Sequence, residues 1–132
     1  MSSIIVVDND AAMHEIFNII FEKEYEVHCL SEGSLILTGA MKAPGLFVLD
    51  RQLPSAEGLE LCRFIKNSPQ YQTVPVLLLS AWPNSGELAA EAGVDSVIAK
   101  PFCLNQLKTA VRQLLKAARP SGYRKAISLE NG

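Results

Sequence analysis

Four short apolar runs, each followed by a polar residue, constrain the fold of this chain more than any other feature of its sequence. The runs occupy residues 4–7, 46–49, 76–79 and 97–99. They lack the alternation of polar and apolar residues that marks a strand with one solvated face. We therefore predict that they are β-strands covered on both faces. A fifth run, residues 25–30, does alternate, because Glu26 and His28 are polar, and we predict an edge strand there.

Helical patterns separate the first strands. Met13, Phe17 and Phe21 recur on one helical face, and Asn9 or Asp10 is the expected N-cap of that helix. The pattern thus predicts an amphipathic helix directly after the first strand.

Two further helices are indicated later in the chain. Asn84 with Glu87 resembles a capping box, and Leu104, Leu107 and Val111 begin a last amphipathic helix. Parallel neighbours in a sheet need crossover connections, so strands that alternate with helices predict an α/β fold with a parallel sheet.

Composition and charge limit the class of protein. A chain of 132 residues with 48% hydrophobic and 20% charged residues fits one globular domain. Its net charge of −2 would not attract nucleic acid or an anionic membrane, so we expect no direct contact with either. No apolar stretch approaches the roughly 20 residues that span a bilayer. Cys29, Cys62 and Cys103 form no CxxC pair, which favours a reduced, cytoplasmic protein.

The strand and helix patterns stop near residue 119, where a cluster of Arg, Pro, Ser and Gly begins. We expect one domain over residues 1–118 and a tail or linker over residues 119–132. No internal repeat or low-complexity segment interrupts the domain.

The polar residues that follow the four buried runs are the candidate functional residues. They are Asp8, Asp50, Ser80 and Lys100. In an open parallel sheet, ligands bind beyond the carboxyl ends of the strands, where the strand order reverses. If the order is 2-1-3-4-5, these four strands are neighbours about 4.8 Å apart, and the four side chains line one pocket.

These residue types suit phosphoryl chemistry. Two carboxylates at close range repel unless a cation lies between them, and Mg²⁺ prefers such oxygen ligands. A carboxylate can attack phosphorus to give an aspartyl phosphate, while an ammonium and a hydroxyl stabilise charge on the transferred group. A single Asp after a strand is most often a turn former or a helix cap. Four suitable residues in order on four strands favour the functional interpretation.

Four segments resemble the receiver domains of response regulators in two-component signalling. They are IIVVDND at 4–10, DRQLP at 50–54 with Gly58, SA at 80–81 and KPF at 100–102. The likeness runs over roughly residues 3–118. It implies a flavodoxin-like α/β fold: a doubly wound, five-stranded parallel sheet in the order 2-1-3-4-5, flanked by five helices.

The resemblance also implies roles for individual residues. Asp50 would be the phosphoacceptor, Ser80 the hydroxyl that moves toward the phosphoryl group, and Lys100 the cation that pairs with it; these are the candidate catalytic residues. The peptide bond between Lys100 and Pro101 would be cis, a form that has a low cost only before proline.

Mg²⁺ is the cofactor that the resemblance implies. Its ligands would be Asp8, Asn9, Asp50 and the backbone carbonyl of Gln52. Asn9 stands where the family usually has a second acid, and an amide brings no charge, so we predict weaker Mg²⁺ binding than usual. Asp10 could compensate, although we favour it as the cap of the first helix. His14 and His28 lack metal-ligand spacing, and we place them on the surface or on a helix face.

The implied function is that of a signalling switch that catalyses only its own phosphorylation and dephosphorylation. The phosphodonor would be a phosphohistidine of a sensor histidine kinase or of a phosphotransfer protein. Phosphorylation would change a protein-interaction surface. A C-terminal output domain, a separate effector and a homodimer all stay open. Val97 occupies a position where receivers often carry an aromatic residue, so the usual coupling would be weak or would pass through the backbone.

Two alternatives remain at this point. One is a receiver that is not phosphorylated and acts as a constitutive interaction module, which Asn9 and Val97 favour. The other is a phosphatase of the haloacid-dehalogenase type with Asp8 as nucleophile, since residues 8–10 match its DxD motif. That family needs a further acidic cluster after a later strand, and it leaves Asp50 without a role.

Overall fold

Five parallel strands form a single sheet at the centre of the molecule. The computed structural model describes residues 2–53, 58–81, 90 and 92–117 of the chain. The strands are β1 (Ser3–Val7), β2 (Glu26–Leu30), β3 (Leu46–Asp50), β4 (Val76–Ser80) and β5 (Ser96–Ala99). They lie in the order β2-β1-β3-β4-β5, and every pair is parallel. The predicted sheet and its order are therefore confirmed.

Helices connect the strands and cover both faces of the sheet. Within the described ranges they are α1 (Ala11–Phe21), α2 (Ser34–Leu37), α3 (Gly58–Asn67) and α4 (Leu104–Ala117). None of these four combines the length and the apolar character needed to cross a bilayer. The proposed capping box of Asn84 and Glu87 lies outside the described residues, as does the predicted tail at 119–132.

Successive residues of the central strands point into opposite layers. Phe47 and Leu49 pack with buried residues of α2 and α3 on one side of the sheet. Leu46 and Val48 pack with buried residues of α1 and α4 on the other side. The apolar runs of β1, β3 and β4 are thus covered on both faces, as their unbroken hydrophobicity predicts.

The prediction of cover on both faces is wrong for β5. Val97 is 38% exposed and Ala99 is also exposed, whereas Ile98 between them is buried. The physical reason is the position of β5 at the end of the strand order, with β4 on one side. The predicted edge character of β2 is confirmed, since Glu26 and His28 are exposed and Val27 and Cys29 are half-buried.

Helix α1 begins at the loop that follows β1. The side chain of Asp10 accepts a hydrogen bond from the Ala12 N–H at 2.9 Å, so Asp10 rather than Asn9 is the N-cap. Met13, Phe17 and Phe21 form its buried face. The cap and the apolar stripe together set where the helix starts and which side packs on the sheet.

The start of α3 approaches the end of β3 so closely that only glycine fits at position 58. The Gly58 N–H donates to the Arg51 carbonyl at 2.7 Å. A Cβ at this position would overlap the backbone oxygen of Asp50 and lie 2.9 Å from the Cα of Arg51. Backbone atoms cannot move aside as a side-chain end can, so this contact ties α3 to the residue that ends β3.

We expect Gly58→Ala to lower the free energy of unfolding by about 1–3 kcal/mol, because the added methyl group forces the two backbone segments apart. Gly33→Ala is the matched control. Its Cβ would lie 2.9 Å from Cδ2 of Leu61, the end of a flexible side chain. Urea denaturation of both variants measures the difference. Equal losses in the two variants would contradict the backbone collision at Gly58.

Candidate functional site

The register of the sheet brings four strand ends to one edge. Val7 pairs with Leu49, Asp50 with Leu79, and Ser80 with Ala99. Asp8 and Lys100 come directly after β1 and β5, while Asp50 and Ser80 are the last residues of β3 and β4. All four predicted residues therefore lie at the carboxyl ends of neighbouring strands.

The Lys100 ammonium joins the two carboxylates of the site. Its Nζ lies 3.5 Å from Oδ2 of Asp8 and 3.4 Å from Oδ1 of Asp50. The Asp8 side chain is 1% exposed and the Asp50 side chain 15% exposed, while that of Lys100 is 26% exposed. Two carboxylates and one ammonium thus share a small, partly desolvated volume in which charge interactions are stronger than in water.

Burial dominates the electrostatics of Asp8. It raises the pKa of the Asp8 carboxyl above its ordinary value of 3.8. The hydrogen bond from the Asp10 N–H to Oδ1, 2.8 Å long, lowers the pKa. The charge of Asp50 raises it further, and the Lys100 ammonium lowers it. Keeping the Asp8 carboxylate ionised in the folded chain therefore costs free energy, and a cation bound next to it would reduce that cost.

The second oxygen of Asp8 suits a cation. Oδ2 is buried and accepts no hydrogen bond from the described residues. At 3.5 Å, the ion pair with Lys100 is too long to replace a good hydrogen bond. Within the described ranges, no group of three or more His, Cys, Asp or Glu side chains has the arrangement of a metal site. The described carboxylate donors are two, so this edge fits an ion such as Mg²⁺ that keeps several of its waters.

Asn9 and Gln52 lie beside the two carboxylates along the chain, and both side chains are exposed. The Gln52 N–H points back to Oδ1 of Asp50 at 3.4 Å, which is a long contact. The Gln52 backbone therefore lies next to the Asp50 carboxylate. The ligand roles of Asn9 and Gln52 remain predictions.

Backbone contacts fix the other half of the site. Ser80 is 1% exposed, and its carbonyl accepts a hydrogen bond from the Lys100 N–H at 2.8 Å. The peptide bond between Lys100 and Pro101 is cis, as predicted. The ends of β4 and β5 are therefore held together at the backbone of Lys100, the residue that carries the ammonium.

His14 contributes a contact that the sequence analysis missed. It is half-buried on α1, and its Nε2 lies 2.7 Å from the backbone carbonyl oxygen of Asp8. The sequence offers a weak signal for this contact: His14 lies four residues after the N-cap Asp10, so one helical turn brings it back over the loop.

A separate cleft lies at the opposite end of the sheet. It has a volume of about 610 Å³, and its lining includes Ser3, Glu26, His28 and Lys42. Ser3 and Glu26 begin β1 and β2, so this cleft faces the amino ends of the strands, whereas Asp8 and Asp50 lie at the carboxyl ends.

Comparison with known proteins identifies relatives of the chain. The family model of the response regulator receiver domain matches residues 4–112. A probable transcriptional regulatory protein of Picosynechococcus is 34% identical over 124 residues, which cover 86% of this chain and 49% of that protein. The KDP operon transcriptional regulatory protein KdpE of Escherichia coli is 30% identical over 122 residues, covering 88% and 52%. The chain spans about half the length of these curated relatives.

A solved structure with bound ligand has the same fold. The response regulator protein TrrA from Thermotoga maritima, solved in complex with Mg²⁺-BeF, matches with a TM-score of 0.74 and 26% identity. The match covers 86% of this chain and 99% of that chain. The likeness therefore extends over nearly the whole of that chain.

We expect Asp8→Asn to stabilise the metal-free protein at neutral pH. In the unfolded chain the Asp8 carboxyl titrates near its ordinary pKa of 3.8, and in the folded chain its pKa is higher. The folded state binds this proton more tightly, so the free energy of unfolding falls as the pH rises from the unfolded to the folded pKa. Asparagine keeps the acceptor for the Asp10 N–H and removes the buried charge. At pH 7 the variant should therefore unfold at a higher urea concentration than the parent protein.

Urea denaturation in EDTA, from neutral pH down to the ordinary pKa of the carboxyl, measures this difference. The gain should shrink toward the acid end, as Asp8 becomes increasingly protonated in both states. Asp10→Asn is the control, because Asp10 is exposed and asparagine is an equally good N-cap. If Asp8→Asn were less stable than the parent at pH 7, the attraction of Lys100 would outweigh the cost of burial.

Proposed function

The chain belongs to the response regulator receiver domain family, and we propose that it accepts a phosphoryl group on Asp50 in a Mg²⁺-dependent reaction. The observation that carries the proposal is the position of the Lys100 Nζ, within 3.5 Å of carboxylate oxygens of both Asp8 and Asp50. A receiver needs a nucleophile, a second acid and a cation at one edge of its sheet, and these three residues supply them.

Differences in exposure distinguish the nucleophile from the supporting acid. Asp50 is 15% exposed, so a phosphodonor can reach one of its oxygens. Asp8 is 1% exposed, and its Oδ1 already accepts the hydrogen bond from Asp10. This arrangement supports Asp50 as the phosphoacceptor. It speaks against a phosphatase of the haloacid-dehalogenase type, which would need Asp8 to be the accessible nucleophile.

The proposed step transfers one phosphoryl group from a phosphohistidine of a sensor kinase or phosphotransfer protein. A carboxylate oxygen of Asp50 forms a bond to phosphorus while the P–N bond of the donor breaks. The donor imidazole keeps the electron pair of that bond and takes up a proton. Lys100 offsets charge on one phosphoryl oxygen, and the Ser80 hydroxyl donates a hydrogen bond to another.

Asp8, Asn9, Asp50 and the carbonyl of Gln52 would hold the metal ion. Mg²⁺ bound there would supply positive charge next to the transferred oxygens. The buried Oδ2 of Asp8, which accepts no hydrogen bond from the described residues, is the strongest support for a cation at this place. The same residues would support hydrolysis of the aspartyl phosphate, so the domain would catalyse part of its own dephosphorylation.

Phosphorylation of Asp50 would act as a switch on a protein-interaction surface. Two curated relatives are named as transcriptional regulatory proteins, and this chain covers about half of each. In this scheme residues 1–118 receive the signal, residues 119–132 form a tail or linker, and an output domain, a separate effector or a homodimer responds. The expectations of a cytoplasmic location and of no direct nucleic-acid contact by this domain remain predictions.

Incubation with Mg²⁺ and acetyl phosphate should add a single phosphoryl group to the protein, as measured by intact-protein mass spectrometry. Asp50→Asn should abolish the adduct, because an amide oxygen is a far weaker nucleophile than a carboxylate. Glu60→Gln, which removes an exposed carboxylate on α3, should leave it unchanged. No adduct on the parent protein would support a constitutive interaction module. An adduct that persists in Asp50→Asn would move the phosphoacceptor elsewhere.

We expect Asn9→Asp to tighten Mg²⁺ binding about tenfold, because a carboxylate adds a charge where the amide has none. Isothermal titration calorimetry gives the two dissociation constants. Ala11→Asp is the matched control: it adds the same charge at another exposed position two residues away. Equal gains in both variants would indicate a general charge effect, and no gain in Asn9→Asp would exclude position 9 as a ligand.

A further inference from the structure

A histidine on α1 holds the backbone of the buried acid. His14 lies in the first turns of α1, and its Nε2 is 2.7 Å from the carbonyl oxygen of Asp8. A carbonyl oxygen can only accept, so Nε2 carries the proton and donates. This bond joins the side chain of a helix residue to the loop that carries Asp8 and Asn9.

Asp8 is held through its backbone as well as through its side chain. Its N–H donates to the Leu30 carbonyl at 3.0 Å, and its own carbonyl accepts from His14. Its Oδ1 accepts from the Asp10 N–H at 2.8 Å. Among the described residues, the remaining oxygen, Oδ2, has only the ion pair with Lys100. The three hydrogen bonds therefore fix the residue so that this one oxygen is left for a cation.

We infer that His14 is a positioning residue for the metal site, an inference that rests on the proposed Mg²⁺-dependent function. Its hydrogen bond fixes the plane of the peptide between Asp8 and Asn9. That plane sets the direction of the Asp8 carboxylate on one side and the place of the Asn9 side chain on the other. Both predicted ligands of the loop thus depend on one donor that touches neither side chain.

Without the His14 donor, the Asp8 carbonyl would bind water instead, and the peptide between Asp8 and Asn9 would be free to rotate. Residues that orient metal ligands without touching the ion typically contribute a factor of 10 to 100 to metal affinity. Because one of three bonds to Asp8 is lost, we expect the lower end of that range, about a tenfold weaker affinity.

A second residue on the same helix separates positioning from helix packing. Asn18 donates from Nδ2 to the backbone carbonyl of His14 at 3.0 Å and lies 3.8 Å from the sulfur of Cys29 on β2. Asn18 therefore bonds within α1 to the backbone of His14 and contacts β2 through Cys29. It makes no use of the His14 ring. Removing the Asn18 side chain disturbs the same part of α1 and leaves the bond to Asp8 in place.

Calorimetric Mg²⁺ titration of the full chain tests the inference with three variants. His14→Leu should raise the dissociation constant about tenfold. His14→Gln should restore most of the affinity, because its terminal amide can donate from nearly the same place as Nε2. Asn18→Ala should bind as the parent does. Thermal melting in EDTA checks that each variant is folded.

A second measurement does not depend on the metal. The Asp10 N–H is bonded to the Asp8 carboxylate, so its hydrogen exchange in EDTA reports how firmly the loop is held. Exchange at Asp10 should be faster in His14→Leu than in the parent and close to the parent in His14→Gln.

The outcomes separate this inference from the function on which it rests. Parent-like affinity together with parent-like Asp10 exchange in His14→Leu would overturn the positioning role and leave the proposed function intact. Equal weakening in His14→Leu and Asn18→Ala would assign the effect to helix packing and overturn it too. No Mg²⁺ binding by the parent would defeat the proposed function, and Asp10 exchange would then decide alone whether His14 holds the loop.

Discussion

The parallel register of strands that are buried on both faces determines where polar groups can lie in this molecule. The apolar side chains of β1, β3 and β4 pack into one of two layers, and an unpaired polar group among them would be costly. The first places open to carboxylates, a hydroxyl and an ammonium are the carboxyl ends of these strands. Because the strands are in register, those ends meet at a single edge. The chemistry of the site is therefore concentrated by the same packing that forms the core.

That packing also sets the electrostatics of the edge. Asp8 follows β1 by one residue and is still buried, at 1% exposure, and this burial raises the pKa of its carboxyl. The Asp10 N–H and the Lys100 ammonium oppose the effect without satisfying Oδ2. Two carboxylates and one ammonium leave the edge with an excess of negative charge. A bound divalent cation would outweigh this excess, and a phosphoryl group on Asp50, which carries more negative charge than the carboxylate it replaces, would make the edge less positive again. The charge of the edge is therefore sensitive to phosphorylation.

Unbroken apolar runs and the polar residues after them are local signals, so the sequence analysis predicted the strands and the four strand-end residues from them. The strand order came from the resemblance to receiver domains. The sequence analysis located neither α2, whose four residues include Leu35 and Leu37 on the exposed side, nor α3. It also missed His14, since every residue offers a carbonyl acceptor and no pattern marks which one a side chain will reach. The prediction that Val97 is buried was also wrong. A short apolar run does not reveal whether its strand is central or last in the sheet.

The two halves of the site differ in how firmly they are held. Asp8 is fixed by hydrogen bonds to its N–H, its carbonyl and one carboxylate oxygen, from Leu30, His14 and Asp10. Lys100 instead reaches the carboxylates through a long, partly exposed side chain, by two ion pairs of 3.4 and 3.5 Å. In the proposed switch the acid side is the fixed reference and the ammonium is the part that shifts. Because the Lys100 N–H is bonded to the Ser80 carbonyl, such a shift acts directly on the joined ends of β4 and β5. The exposed Val97 side chain on β5 lies three residues from that junction, so the outer strand offers a short route from the phosphoryl group to the surface.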